Sequence, residues 1–300
     1  MGIGMAAAPR AGRFSVAVRR GGGSLRGART GMVRGAGGAG RRVAAADRAL
    51  LFDCDGVIVL TEELHRLAYN AAFEAYGVEV GGAPLVWDVA YYDILQNTVG
   101  GGKPKMKWHF GQNGWPTAVA AEAGTTPAEL ASSEDAQNAL VDALQDKKTE
   151  VYKRIVEEVA EARPGVIEMM DEALGMQGLA VGICSAATKA GFDKVINSVV
   201  GVERRGRFDV VMAGDDVPLK KPDPLIYNTA RDKVDVPAHR CLVIEDSLVG
   251  LRAAKAAGMK CAITYTTSTA DADFKGEGAD LVLESLEGVT VADLFARVGL

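Results

Sequence analysis

The sequence Asp53-Cys54-Asp55-Gly56 follows a short apolar run, Ala49 to Phe52. Four apolar residues closed by a turn signal read as a buried strand. Side chains alternate along a strand, so Asp53 and Asp55 start on one side and Cys54 on the other. Two carboxylates at the mouth of a buried strand are costly unless a cation or hydrogen bonds compensate them. Magnesium, a hard oxygen-seeking cation, would do so, and Gly56 lets the backbone turn sharply beside them. The same spacing recurs at Asp271-Ala272-Asp273, but no strand-like run precedes it and Phe274 follows instead of glycine. Three further groups have types suited to the same chemistry. Ser185 follows the apolar run 178–184, Glu245-Asp246-Ser247 follows 241–244, and Lys220-Lys221-Pro222-Asp223-Pro224 stands just ahead of a helical stretch.

These groups need elements that bring them together. Strand-like runs at 178–184, 208–213, 241–244, 260–265 and 281–283 alternate with helical stretches at 188–200, 224–234 and 248–257. Such alternation predicts a parallel sheet covered on both faces, an α/β fold. Ligands bind such folds beyond the carboxyl ends of the strands, where Asp53, Asp55, Ser185, Glu245 and Asp246 all fall. Between the first strand and the rest lies a different material. Residues 61–76 carry apolar positions at helical spacing, with Thr61 as a candidate N-cap and Gly77 as a stop. A second helical zone at 84–112 is broken by Val99-Gly100-Gly101-Gly102-Lys103-Pro104, and a long amphipathic helix is expected over 136–162. Arg163-Pro164-Gly165 then punctuates the chain. The expectation is an α/β core from 47–60 and 163–300, interrupted by an all-helical insert at 61–162.

Residues 1–46 contain nine Arg and no Lys, Asp or Glu. An Arg-rich, acid-free leader reads as an organelle transit peptide rather than a nucleic-acid-binding arm, because the positive charge stops where the first strand begins. The whole chain carries −5, which leaves residues 47–300 at −14 and argues against nucleic acid as a partner. No run of 18 apolar residues occurs, so no membrane span is expected. Cys54, Cys184, Cys241 and Cys261 each sit in or beside an apolar run and read as reduced, buried thiols.

The four groups, in order and in strand context, resemble the four motifs of the haloacid dehalogenase (HAD) superfamily of phosphohydrolases. Asp53-Cys54-Asp55-Gly56-Val57 matches the first motif, Cys184-Ser185 the second, Lys221 the third, and Glu245-Asp246-Ser247-x-x-Gly250 the metal-binding fourth. The resemblance covers nearly all of residues 48–285. It implies a HAD-type Rossmann-like core with an inserted helical C1 cap, and magnesium as cofactor. Asp53 would be the nucleophile and Asp55 the general acid/base. Asp53, the Asp55 carbonyl and Asp246 would hold the metal, with Glu245 ligating directly or through water. Ser185 and Lys221 would hold the transferring phosphate.

The position of the insert resembles the β-phosphoglucomutase-like branch. There Glu62 and His65 sit where cap residues touch the substrate or the acid/base Asp, while Leu60 departs from the usual Asp. Gly100, Gly101, Gly102 and Lys103, with Lys105 and Lys107 nearby, form a candidate distal-phosphate site, since glycines expose backbone N–H groups near a helix start. That segment, Asn113-Gly114-Trp115-Pro116 and the Lys147–Thr149 region resemble CbbY-type proteins. These include plastid sugar-bisphosphate phosphatases that remove xylulose 1,5-bisphosphate, and the chain also resembles plant and algal plastid HAD-like hydrolases. The resemblance implies a chloroplast stromal phosphatase of a small phosphorylated sugar, without nucleic-acid or membrane partners, and a monomer is expected. A phosphomutase on the same scaffold, or a binding protein that kept the fold, stays open on the sequence alone.

Overall fold

The computed structural model describes residues 46–300. The expected transit segment lies, but for residue 46, outside the described residues.

Strand β1 (Arg48–Phe52) forms at the centre of a six-stranded sheet. The partners are β4 (Leu179–Cys184), β5 (Val210–Met212), β6 (Cys241–Glu245), β7 (Lys260–Thr264) and β8 (Leu281–Leu283), in the order β5-β4-β1-β6-β7-β8. Every neighbouring pair is parallel. Leu50 and Phe52 join an apolar cluster on one face, and Ala49 and Leu51 join another on the opposite face. That is why the run has no polar alternation: both faces are covered. Helices α6 (Val166–Gly175), α7 (Lys189–Val199) and α11 (Val291–Val298) supply the first cluster, and α9 (Leu225–Val234) and α10 (Leu248–Ala256) the second. The short α8 (Val202–Arg205) follows α7. From β1 the chain order runs outward in two directions, through β4 on one side and β6 on the other. The crevice at such a switch point is where ligands bind in open parallel sheets.

The insert after β1 holds α1 (Thr61–Ala75), a ribbon of β2 (Glu79–Val80) and β3 (Ala83–Pro84), α2 (Val89–Thr98), α3 (Gly102–Asn113), α4 (Pro127–Leu130) and α5 (Glu134–Glu158). It is helical as expected, apart from the two-residue antiparallel ribbon. Its own apolar cluster joins Phe73, Trp87, Leu95, Phe110, Leu140 and Leu144. Leu64 and Val156, at the roots of α1 and α5, pack into the sheet's cluster instead. Two details correct the sequence reading. Thr61 is the first helical residue, Leu60 occupies the cap position, and no side chain caps α1. The long helix begins after Ser133, whose hydroxyl accepts from the Ala136 N–H, and ends at Glu158. The residues beyond serve as a return linker, in which the Arg163 N–H donates to the Ile58 carbonyl at 2.8 Å.

Candidate active site

The parallel register fixes the centre of the site. Phe52 lies beside Ile183 and Ile244 on the flanking strands. The next residues along, Asp53, Cys184 and Glu245, therefore emerge together at the sheet edge, and the Asp53 N–H donates to the Ile244 carbonyl at 2.9 Å. Lys221 arrives from the loop before α9 and is buried among them. Its Nζ donates to Asp53 Oδ1 at 2.5 Å, to Glu245 Oε1 at 2.7 Å and to the Cys184 carbonyl at 3.0 Å. Burial alone would lower the Lys221 ammonium, but the charges of Asp53 and Glu245 outweigh it and hold it above its ordinary range. Asp53 is pushed up, chiefly by burial and then by the charge of Glu245. Asp55 lies across from β4, where its Oδ2 accepts from the Ser185 hydroxyl at 3.1 Å; Ser185 Oγ in turn accepts from the Ala187 N–H at 3.0 Å.

Asp53, Glu245 and Asp246 present carboxylate oxygens all within 4.8 Å of one another. Burial first and the Glu245 charge second raise Asp246 to about 8. Three clustered acids against one bound lysine leave excess negative charge, and the donors are all oxygen, which fits a hard divalent cation such as magnesium. Within the trio Glu245 is already engaged. Its Oε1 accepts from Lys221 and from the Tyr227 hydroxyl at 2.7 Å, and its Oε2 from the Asp246 N–H at 3.1 Å and the Ser247 hydroxyl at 3.3 Å. Asp53 and Asp246 thus keep more oxygen free for an ion than Glu245 does. Two glycines make room. Gly56 has φ +85°, and a Cβ there would collide with the Asp246 carboxylate; a Cβ at Gly250 would collide with that of Glu245.

A cavity of about 810 Å³ opens above these groups, with the insert as its other wall. Glu62 and His65 line it. Glu62 Oε2 accepts from the Tyr92 hydroxyl at 3.1 Å. The Lys148 Nζ lies 2.9 Å from His65 Nδ1. An ammonium can only donate, so Nδ1 accepts and Nε2 carries the ring proton. Burial and then the Lys148 charge push His65 down to about 3, which keeps the imidazole neutral.

Gly100 and Gly101 also line the cavity, but the other half of the expected distal site does not. Lys103 is half-exposed and pairs with Asp142 at 2.9 Å, away from the cavity. Gly102 faces Tyr69 and Gln145 inside the insert. The reason is helical rotation. Because α3 starts at Gly102, residues 103 and 105 lie about 200° apart around its axis. Lys105 is the lysine that lines the cavity. It is 9% exposed, and among the described residues its Nζ has one hydrogen bond, to the Tyr92 hydroxyl at 3.5 Å, with the Glu62 charge nearby. Sequence reasoning also missed Arg66, Gln96 and Asn97 on the insert wall and Thr266 to Thr269 on the core wall. The latter had a signal: a dense hydroxyl run directly after a strand, on the ligand side of the sheet. Asp273, where the Asp-x-Asp spacing recurs, caps a turn by accepting from the Gly276 N–H.

A parallel α/β sheet whose strand ends gather two aspartates, a serine, a lysine and an acidic pair under a helical insert defines a phosphoryl-transfer hydrolase. The haloacid dehalogenase-like hydrolase family model matches residues 48–258, and the chain belongs to that family as a phosphohydrolase. Within it the similarity is to CbbY-like proteins. A haloacid dehalogenase-like hydrolase domain-containing protein of Arabidopsis thaliana is 47% identical over 82% of this chain and 76% of its own length. Protein CbbY of Cereibacter sphaeroides is 35% identical over 83% of this chain and 98% of its own. The solved structure of a mutant CbbY from Rhodobacter sphaeroides in complex with xylulose-(1,5)bisphosphate superposes with a TM-score of 0.58. It is 32% identical over 83% of this chain and 99% of that one.

Proposed function

We propose that the chain is a magnesium-dependent phosphatase of a small phosphorylated sugar, that its preferred substrate is a sugar bisphosphate, and that Asp53 carries the phosphoryl group between two half-reactions. The observation that supports this most is the meeting of Asp53, Asp55, Lys221 and Asp246, remote in sequence, at one cavity, with the buried Ser185 hydroxyl donating to Asp55. Asp53 attacks phosphorus in line as the bond to the sugar oxygen breaks, giving an aspartyl-phosphate. Asp55 gives its proton to the leaving oxygen, then takes one from the water that hydrolyses the intermediate. The Ser185 hydroxyl orients Asp55 in the free site and, with Lys221, binds the equatorial oxygens of the bound phosphate. Asp53, the Asp55 carbonyl and Asp246 would hold magnesium, which lowers the repulsion between the anionic nucleophile and the phosphate. Glu245, saturated by Lys221, Tyr227, Asp246 N–H and Ser247, positions Lys221 and the turn after β6.

The bisphosphate reading rests on Lys105, a nearly buried ammonium with one long hydrogen bond that faces the cavity from the insert. Such a cation gains most from an anionic group on the ligand. The CbbY complex with xylulose-(1,5)bisphosphate supports the same substrate class. We also assign the protein to the chloroplast stroma, on the arginine-rich, acid-free residues 1–46. A reporter fused to those residues should enter plastids, and a cytosolic reporter contradicts the assignment. The substrate test is phosphate release from matched sugar mono- and bisphosphates with magnesium and with a chelator. One phosphate per turnover, favouring a bisphosphate and lost with the chelator, is expected. Isomerised product without free phosphate would instead identify a phosphomutase.

A further inference from the structure

The return linker of the insert ends in Arg163, whose side chain none of the four motifs uses. Its guanidinium donates to four main-chain carbonyls from three separate segments. Nη1 bonds to Gly56 O and to Thr264 O at 2.8 Å; Nη2 bonds to Tyr265 O at 2.7 Å and to Glu284 O at 3.1 Å. The last three carbonyls lie at or beyond the ends of β7 and β8. The first belongs to the turn that carries Asp55 and that packs directly against Asp246. The Arg163 N–H also holds the outgoing linker through Ile58 O. Guanidinium is planar, with N–H groups aimed in fixed directions, so one such group can lock several carbonyls in one plane.

We propose that Arg163 is a positioning residue for the hydrolysis: it clamps the Gly56 turn to the ends of β7 and β8 and so fixes Asp55 beside the reacting phosphate. The bonds within the turn run along it, from Gly56 N to Val59 O and from Ile58 N to Cys54 O, and do not tie it to β7 or β8. Removing the guanidinium should let the turn shift as a unit. A shift of order 1 Å at an acid/base group costs turnover, about a hundredfold at the extreme, and leaves phosphate binding by Ser185 and Lys221 in place. An ammonium cannot reproduce the planar, four-bond clamp.

The inference rests on the phosphohydrolase reading but not on the identity of the sugar, so the test uses p-nitrophenyl phosphate with magnesium. The wild type's own turnover reports the reading of the site separately. For Arg163→Ala, kcat should fall about ten- to a hundredfold with KM changed less than about threefold. Added guanidinium chloride, at concentrations that leave the wild type unaffected, should restore part of kcat. Arg163→Lys should fall between the two and covers the case in which the alanine variant fails to fold. Circular dichroism and melting temperature establish that each variant compared is folded. Wild-type kcat in either folded variant, or a rise in KM alone, would overturn the proposal.

Discussion

On the sheet side of the cavity the charged groups hold one another at 2.5–2.7 Å, with Lys221, Asp53 and Glu245 each at most 7% exposed at the side chain. On the insert side some pairs are as close, Arg66 with Glu63 at 2.5 Å and Lys148 with His65 at 2.9 Å, but Lys105 reaches the Tyr92 hydroxyl only at 3.5 Å, and Glu62 accepts from the same hydroxyl at 3.1 Å. The first wall is preorganised for a fixed piece of chemistry, with donors and acceptors already aimed. The second leaves an ammonium with capacity to spare, as a surface does that completes its bonds with a ligand. The difference separates two jobs. On the proposed function, the sheet edge supplies the reaction and the insert selects what is brought to it.

Substitutions on the two walls should differ in kind as well as size. Asp53→Asn removes the attacking oxyanion, and turnover of every phosphate ester should drop by more than about four decades. Residual activity above that on any substrate would move the nucleophile elsewhere. Asp55→Asn should slow hydrolysis of a sugar phosphate by about two to four decades, the worth of positioned proton transfer. Equal rates at neutral pH would break the assignment. On the other wall, Lys105→Ala should cut kcat/KM on a sugar bisphosphate by about 1–3 kcal/mol, the range for a charge-assisted hydrogen bond, and barely affect a monophosphate. Lys103→Ala removes an exposed ion pair and should cost under about 1 kcal/mol on either substrate. If Lys103 proved the more important of the two, the assigned helix face would be wrong.

The last effect expected is on stability. Asp246, raised to about 8 by burial and by Glu245, keeps its proton in the folded, metal-free chain. In the unfolded chain the same group loses its proton near pH 4. The folded state therefore holds the extra proton between about pH 4 and 8, and this group makes the metal-free chain less stable as pH rises through that window. Magnesium needs the charged carboxylate, so its stabilisation should grow over the same range. The melting temperature gained on adding magnesium should be larger at pH 8 than at pH 6, by about 5–9 °C for a linkage change of about 2 kcal/mol. A gain independent of pH would show that Asp246 is already ionised without metal.

The same contrast explains what could be read from the residues. The catalytic set was legible because strands deliver side chains at their ends: once Asp53, Ser185 and Glu245 each closed an apolar run, parallel pairing brought them to one edge. Lys221 came from its place before a helix, next to Pro222. On the insert, position along the chain was not enough. Lys103 and Lys105 are two residues apart, and which one meets the cavity depends on where α3 begins and how it is turned against α5. The resemblance to the fourth motif gives Glu245 as a metal ligand, directly or through water, and its carboxylate does lie in the acidic cluster with Asp53 and Asp246. Two of its four donors, the Asp246 N–H and the Ser247 hydroxyl, are its own neighbours; the other two, Lys221 and Tyr227, are tertiary partners that no local spacing reveals. Arg163 looked like punctuation before Pro164-Gly165, since its carbonyl partners come from loops about a hundred residues away in either direction.

The most direct test of the account is to catch the phosphoryl group on the core wall. Asp55→Asn should be mixed with p-nitrophenyl phosphate and magnesium, quenched in acid and digested for peptide mass spectrometry. The nitrophenolate leaves without needing a proton, so the first half-reaction should proceed. The second half-reaction needs Asp55 to activate water and should stall. The account predicts one phosphoryl group on the peptide containing Asp53, absent from the Asp53→Asn, Asp55→Asn double variant. A phosphoryl group on any other residue, or none while nitrophenolate is still released, would contradict it.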